Sequence, residues 1–290
     1  MRIDVKKTYK LYINGAFPRS ESGRVFEIKN NKGEFIANPC LASRKDLRDA
    51  VVAARAAQVG WAKSTAYLRG QILYRIAEMA ESRKDQLIAE VSAGEKMTKA
   101  AATKLVEAAI DRWVWYAGWS DKLSSIFGAT NQVSGPYYNF TIPEPQGVVA
   151  VTANSLLSFV ESVGAAVCGG NTVVALVSGG ASIPVMTFAE VIATSDVPNG
   201  VINVLTGTLD ELAPWAASHM DIDGLDITAI NVKKRGELIA AGAENLKRIH
   251  TFDKGLTPTR IISFMEANNS WHHNRLTEQQ YETAVAELNG

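Results

Sequence analysis

Residues 144–176 read EPQGVVAVTANSLLSFVESVGAAVCGGNTVVAL. Two apolar, β-branched runs, Val148–Thr152 and Thr172–Leu176, flank a segment of helix length that closes on Gly169-Gly170-Asn171. Strand, crossover helix, turn and strand make a βαβ unit. Runs without polar alternation mark strands buried on both faces. Ligands of such units sit at the carboxyl ends of the strands. Here those ends read Ala153-Asn154-Ser155 and Leu176-Val177-Ser178.

Working outward, the alternation continues. Pro184–Ala193 has helical spacing, Val201–Thr206 is a third buried strand, and a helix follows around Glu211–Ser218. Leu225–Ile230 reads as a fourth strand, 233–243 as a helix and Ile249–Phe252 as a short fifth strand. Strands alternating with helices over this length predict a doubly wound parallel sheet. Toward the N-terminus, Tyr9–Ile13 alternates ahead of an Asn14-Gly15 turn, and Val25–Ile28 and Phe35–Ala37 read as short strands. Helices follow, opened by Ser43, by Ser64 or Thr65, and by Thr98, with a short one at 84–93; the Thr98 helix is expected to reach about Ser125. Tyr137–Ile142 is a strand that Pro143 and Pro145 confine to an edge. Pro258–Glu266 reads as one extended strand, and a capping box of Thr277 and Gln280 predicts a terminal helix at 278–288. The fold class is α/β: a Rossmann-like doubly wound parallel sheet with N-terminal helices and a β-strand arm.

Composition narrows the function. Lys plus Arg and Asp plus Glu both number 30, a balance that argues against a nucleic-acid surface. The two cysteines, Cys40 and Cys168, have no paired spacing, so neither a disulfide framework nor a zinc site follows. Trp271-His272-His273 gives no metal site either, because adjacent residues on a strand point to opposite faces. With no apolar signal core at the start and no run of membrane-spanning length, no membrane partner and a cytoplasmic location are expected.

LYINGAF near the start, WYAGWSDKL at 115–123, EPQGVVAV at 144–151, GGNTVVAL at 169–176, VPNGVINVLTG at 197–207 and AENLKRI at 243–249 together resemble the aldehyde dehydrogenase superfamily, in order and over residues 8–255. RIISFMEANNSWH resembles that family's last strand. The resemblance implies a dinucleotide-binding domain at 1–127 and 146–256, and an oligomerisation arm at 128–145 and 257–275. Residues 276–290 form a C-terminal helix in this reading. The family's catalytic domain would belong between Gly255 and Pro258, so the resemblance implies a truncated, pseudoenzyme-like member.

The family's functional positions carry other residues here. Where it places an oxyanion-binding Asn after the first strand this chain has Ser155, and where it places its general base this chain has Phe252. The segment that grips the adenosine ribose reads Leu176-Val177-Ser178-Gly179, and the pyrophosphate segment reads Ala229-Ile230-Asn231. Neither cysteine lies in the nucleophile's context. From these positions no catalytic residue, no bound cofactor and no enzymatic activity are expected. The function that follows is a non-catalytic subunit assembling with a full-length aldehyde dehydrogenase, with itself, or with both. Assembly would use Tyr137, Tyr138, Phe140 and Ile142 on one arm strand and Ile261, Ile262, Phe264 and Trp271 on the other. The alternative is an NAD(P)-dependent aldehyde dehydrogenase, or a dinucleotide-binding module, with divergent site residues.

Overall fold

The computed structural model describes Ile3 and residues 5–134, 137–253 and 255–273. Two short strands come first, β1 (Ile28–Lys29) and β2 (Phe35–Ala37). Five helices follow: α1 (Arg44–Lys63), α2 (Ala66–Ser82), α3 (Lys84–Gly94), α4 (Lys99–Trp119) and α5 (Leu123–Phe127). Their starts obey the sequence. Ser43 caps α1 in a reciprocal box with Asp46, and Thr65 and Thr98 accept backbone N–H groups at the heads of α2 and α4. Strands β3 (Ala129–Asn131) and β4 (Tyr137–Pro145) lead into β5 (Val148–Ala153), α6 (Leu156–Cys168) and β6 (Thr172–Ser178). A 3-10 turn at Gly179–Ala181 joins α7 (Ser182–Ile192). After it come β7 (Ile202–Gly207), α8 (Leu209–Ser218), β8 (Gly224–Asp226), α9 (Val232–Ala243), β9 (Arg248–His250), α10 (Thr259–Ser263) and β10 (Met265–His273).

The main sheet is five parallel strands in the order β7-β6-β5-β8-β9. Successive side chains on a strand face opposite ways, and the core divides accordingly. Val149, Val151, Val173, Ala175 and Val177 pack with Trp113, Phe159 and Phe188 of α4, α6 and α7. Val148, Ala150, Val174 and Leu176 pack with Val51, Leu212 and Leu238 of α1, α8 and α9. Helices thus cover both faces, which explains the unbroken apolar strands. The layers also meet closely at glycines. A Cβ on Gly180 would lie 1.7 Å from the carbonyl oxygen of Gly94, so the end of α3 touches the turn after β6 backbone to backbone.

The arm is a separate antiparallel sheet, β10-β4-β3, with Met265 opposite Pro145 and His273 opposite Tyr137. Tyr138, Ile142 and Trp271 are exposed on it. Several expectations need correction here. Pro258–Glu266 is not one strand: Thr259–Ser263 turns as a helix, and the strand starts only at Met265. Ile261 and Phe264 sit three residues apart, a spacing that suits a helix, and both are fully buried in the core rather than displayed on the arm; Ile262 packs against it half-buried. The long helix from Thr98 stops at Trp119 and restarts as α5. Tyr9–Ile13 makes only single bridges, Tyr12 to Val204 and Ile13 to Ala16. The fourth strand ends at Asp226, four residues early, where the carboxylate takes the N–H of Thr228 and turns the chain. The expected helix at 278–288 and the side chains of His272 and His273 lie outside the described residues.

Candidate cofactor cleft

The chain passes from β5 to β6 to β7 on one side, then crosses back to β8 on the other side of β5. Strand order reverses beside β5, and the carboxyl ends there border a cleft of about 570 Å³. Thr152 lines it from β5, Asn154 and Ser155 from the turn after it, Thr228 from the turn after β8, and Phe252 and Arg260 from the C-terminal segment. A shallower depression of about 380 Å³ lies over β6 and β7, lined by Ser178, Gly179, Gly207, Asp210, Ile230 and Asn231. Ala229 borders both.

A buried polar network forms the wall of the larger cleft. Asp226 is wholly inaccessible and accepts from Ser162 Oγ at 2.6 Å, Thr228 N at 2.8 Å and Thr228 Oγ1 at 2.5 Å. Three donors on one carboxylate meet the requirement that a buried charge be hydrogen-bonded. Thr152 Oγ1 donates to the Asp226 carbonyl, and Phe252 N donates to Thr228 Oγ1, tying three strand ends together. Arg260 is 6% exposed, with Glu161 at 3.6 Å, Ser162 at 3.4 Å and the Asp253 carbonyl at 3.4 Å. Its guanidinium lies 4.8 Å from the Phe252 ring centre. Arg112 meets the same Glu161 at 3.4 Å.

Ser155 caps α6, and Ser158 returns the bond to the Ser155 N–H. The next free donor, Leu156 N, is taken by Glu95 Oε1 at 2.7 Å. Burial pushes the Glu95 carboxyl up to about 7, against the pull of that hydrogen bond. Cys168 closes α6. Its thiol donates to the Tyr116 carbonyl at 3.2 Å, and burial pushes it up to about 12. Cys40 is also a buried free thiol. Neither is exposed as a thiolate nucleophile must be.

Each position singled out from sequence now has a place. Ser155 and Phe252 line the larger cleft, and Ser178, Gly179 and Ile230 line the smaller one. Leu176 lines neither: it points into the α1–α8 core and is fully buried, because the strand's alternation turns it from the cleft. Sequence reading missed Asp210, Asp226, Arg260 and Glu95. Asp226 carried a signal, as a lone acid inside an apolar run. Arg260 sat in a stretch misread as strand.

The smaller depression suits a nucleotide. Gly179 has φ 62°, in the left-handed region that favours glycine, and a Cβ there would meet no protein atom within 4 Å, so the lining is open at this point. Ser178, Asn231 and Asp210 add hydroxyl, amide and carboxylate groups, and Asn231 is the N-cap of the 12-residue helix α9. Fold and cleft together define a doubly wound protein of dinucleotide-binding type. The model of the aldehyde dehydrogenase family matches residues 17–264, and the chain belongs to that family.

Human retinal dehydrogenase 2 is 34% identical over 272 residues, 90% of this chain and 51% of the relative. An Emericella nidulans aldehyde dehydrogenase is 32% identical over 268 residues, 90% of this chain and 53% of that one. Among solved structures, the NAD+ complex of a Bacillus cereus aldehyde dehydrogenase is 27% identical with a TM-score of 0.76, over 84% of this chain and 50% of the other. An NAD-dependent aldehyde dehydrogenase from Sinorhizobium meliloti is 25% identical with a TM-score of 0.79, again over 84% and 50%. The chain thus spans about half the length of the curated relatives it matches.

These matches correct the reading of the chain as a truncated pseudoenzyme. The family pattern runs on past Gly255 and Pro258 to residue 264, so that junction does not set the chain apart from the family. The non-catalytic subunit of a hetero-oligomer, without enzymatic activity, is likewise overturned, since the relatives are dehydrogenases. The expectation of no cofactor is corrected by a relative solved with NAD+ across the same fold. The matches back the alternative reading instead.

Proposed function

We propose that this chain binds NAD(P) across the two clefts and serves the NAD(P)-dependent oxidation of aldehydes. The observation that carries the reading is the open glycine floor at Gly179, with Ser178, Asp210 and Asn231 around it at the carboxyl ends of β6 and β7. The adenosine half lies there, and the chain of the ligand passes Ala229 into the larger cleft. Asp210, ion-paired with Lys234 at 2.7 Å and exposed, is placed to accept hydrogen bonds from a ribose diol. The same carboxylate repels a 2′-phosphate, which favours NAD over NADP. When bound, the cofactor supplies a hydride acceptor. This chain's residues bind and orient it: small side chains admit it, the first turn of α9 faces its phosphates, and Phe252 with Arg260 walls the larger cleft. Cys40 and Cys168 take no part in the chemistry.

Calorimetric titration with NAD+ and NADP+ tests the reading, together with the absorbance of reduced cofactor over a panel of aldehydes. Micromolar binding of NAD+, weaker NADP+ binding and loss of that preference in Asp210→Asn are expected. No heat with either nucleotide at millimolar concentration would overturn the reading.

No helix among the described residues is long and apolar enough to cross a membrane. We further propose a cytoplasmic protein that assembles with copies of itself through the arm, where Tyr138, Ile142 and Trp271 stand exposed on β4 and β10. Light scattering of Trp271→Glu, expected to show smaller particles than the parent chain, checks this.

A further inference from the structure

Away from both clefts, a depression of about 380 Å³ opens between the first turns of α1 and the last turn of α8. Arg44, Lys45, Leu47, Arg48, Trp215, Ser218 and His219 line it. None of these is acidic. Arg44 makes no ion pair or hydrogen bond among the described residues, and Lys45 reaches Glu21 only at 3.8 Å. Arg48 rests on its neighbour Asp49 at 2.9 Å. His219 Nδ1 accepts from Asp221 N, and burial lowers its pKa, with Asp221 opposing the effect and Lys247 and Arg44 adding to it.

Cations in the first turns of a helix face its positive end and disfavour it. Helix α1 places Arg44 and Lys45 in its first turn and Arg48 one turn further on, beside the capping pair Ser43 and Asp46. The pocket also has an apolar wall, with Trp215 half-buried beside the inaccessible Leu47. Cations and an indole lining one depression match a ligand with a phosphate group at one end and a flat ring at the other. The volume lies at the small end of the usual range of ligand pockets, which begins at about 300 Å³.

We propose that this depression is a second binding site, taking a small phosphorylated molecule with a planar ring, of mononucleotide type. Arg44, Lys45 and Arg48 hold the phosphate, and Trp215 packs against the ring. The proposal does not depend on the cofactor cleft. Helix α8 spans the distance between them, with Leu209 bordering the smaller cleft and Ser218 the basic depression, about 14 Å apart along its axis.

Uridine diphosphate and inorganic pyrophosphate are suitable probes, since neither carries adenine. Titration of the whole chain, followed by calorimetry and tryptophan fluorescence, is expected to give saturable uridine diphosphate binding that weakens as salt is raised. Arg44→Glu with Arg48→Glu should weaken it at least tenfold, and Trp215→Leu should weaken uridine diphosphate more than pyrophosphate. Asp210→Ala, in the cofactor cleft, should leave it unchanged. These exposed cations can be replaced without disturbing the core, and thermal melting of each variant verifies the fold. No binding at millimolar probe, or binding lost in Asp210→Ala and kept in the arginine variant, would overturn the proposal. Equal weakening of both probes by Trp215→Leu would overturn the part assigned to the ring.

Discussion

Replacing Glu95 by Gln should make the protein more stable in alkali and leave it unchanged in acid. The carboxyl sits on the turn after α3, partly buried, and its one hydrogen bond, from Leu156 N, offsets only part of the desolvation. Its pKa rises from 4.5 to about 7 on folding, chiefly through desolvation. A folded pKa above the unfolded one means that the native state favours the protonated form. The contribution to stability is therefore complete below pH 4.5 and is lost as pH rises through 7. At 1.36 kcal/mol for each tenfold change in acid strength, the loss is about 3 kcal/mol, and about 2 kcal/mol after discounting for water at the partly exposed carboxyl. Gln keeps an oxygen for Leu156 N without the charge. Urea denaturation of both proteins at intervals from pH 4 to pH 9 measures the difference. Curves that coincide near pH 4 and separate by about 2 kcal/mol above pH 8, with the variant more stable, are expected. A gap that does not change with pH, or one that favours Glu95 in alkali, would refute the reasoning.

Other expectations are as direct. A thiol reagent at neutral pH should label neither cysteine of the native protein, since both are buried and the Cys168 thiol is pushed up to about 12; rapid labelling of one equivalent would contradict this. Gly164→Ala would place a Cβ 2.3 Å from the Tyr116 ring, and should destabilise by roughly 1–3 kcal/mol in denaturant unfolding. Asp226→Ala strands the hydroxyl of Ser162 and both donors of Thr228, and should lower stability by about 3 kcal/mol or more; a melting temperature equal to the parent's would count against the network's role.

Much of this fold can be read from periodicity because its strands are buried on both faces. Val148–Ala153, Thr172–Ser178 and Ile202–Gly207 carry no polar interruption strong enough to mislead. Helix starts were legible for a similar reason, as Ser43, Thr65 and Thr98 cap locally. The segment around Ile261 was not, because Ile261, Ile262 and Phe264 satisfy a strand and a short helix alike, and only packing under α6 decides between them. The cleft was legible by halves. The strand-end positions Ser155, Ser178 and Gly179 follow from topology. Asp210 and Arg260 reach it from a helix and from the returning C-terminal segment, and their approach is a tertiary fact with no local signature. Leu176 shows what position alone leaves out: alternation along the strand turns its side chain into the core.

The carbonyl of Phe264 accepts from Gln146 N and from Asn171 Nδ2, groups at the base of β5 and β6. Asn171 and Phe264 are 93 residues apart in the chain. During synthesis at about 5–20 residues per second, the first βαβ unit therefore leaves the ribosome roughly 5–20 s before the segment that completes its base. In that interval the amide of Asn171 has only the nearby Ala166 carbonyl of its two acceptors, and β4 has no β10 beside it. The nascent chain thus carries an open strand edge for as long as the rest of the sheet takes to be made, a window in which chaperones that cover such edges would meet it.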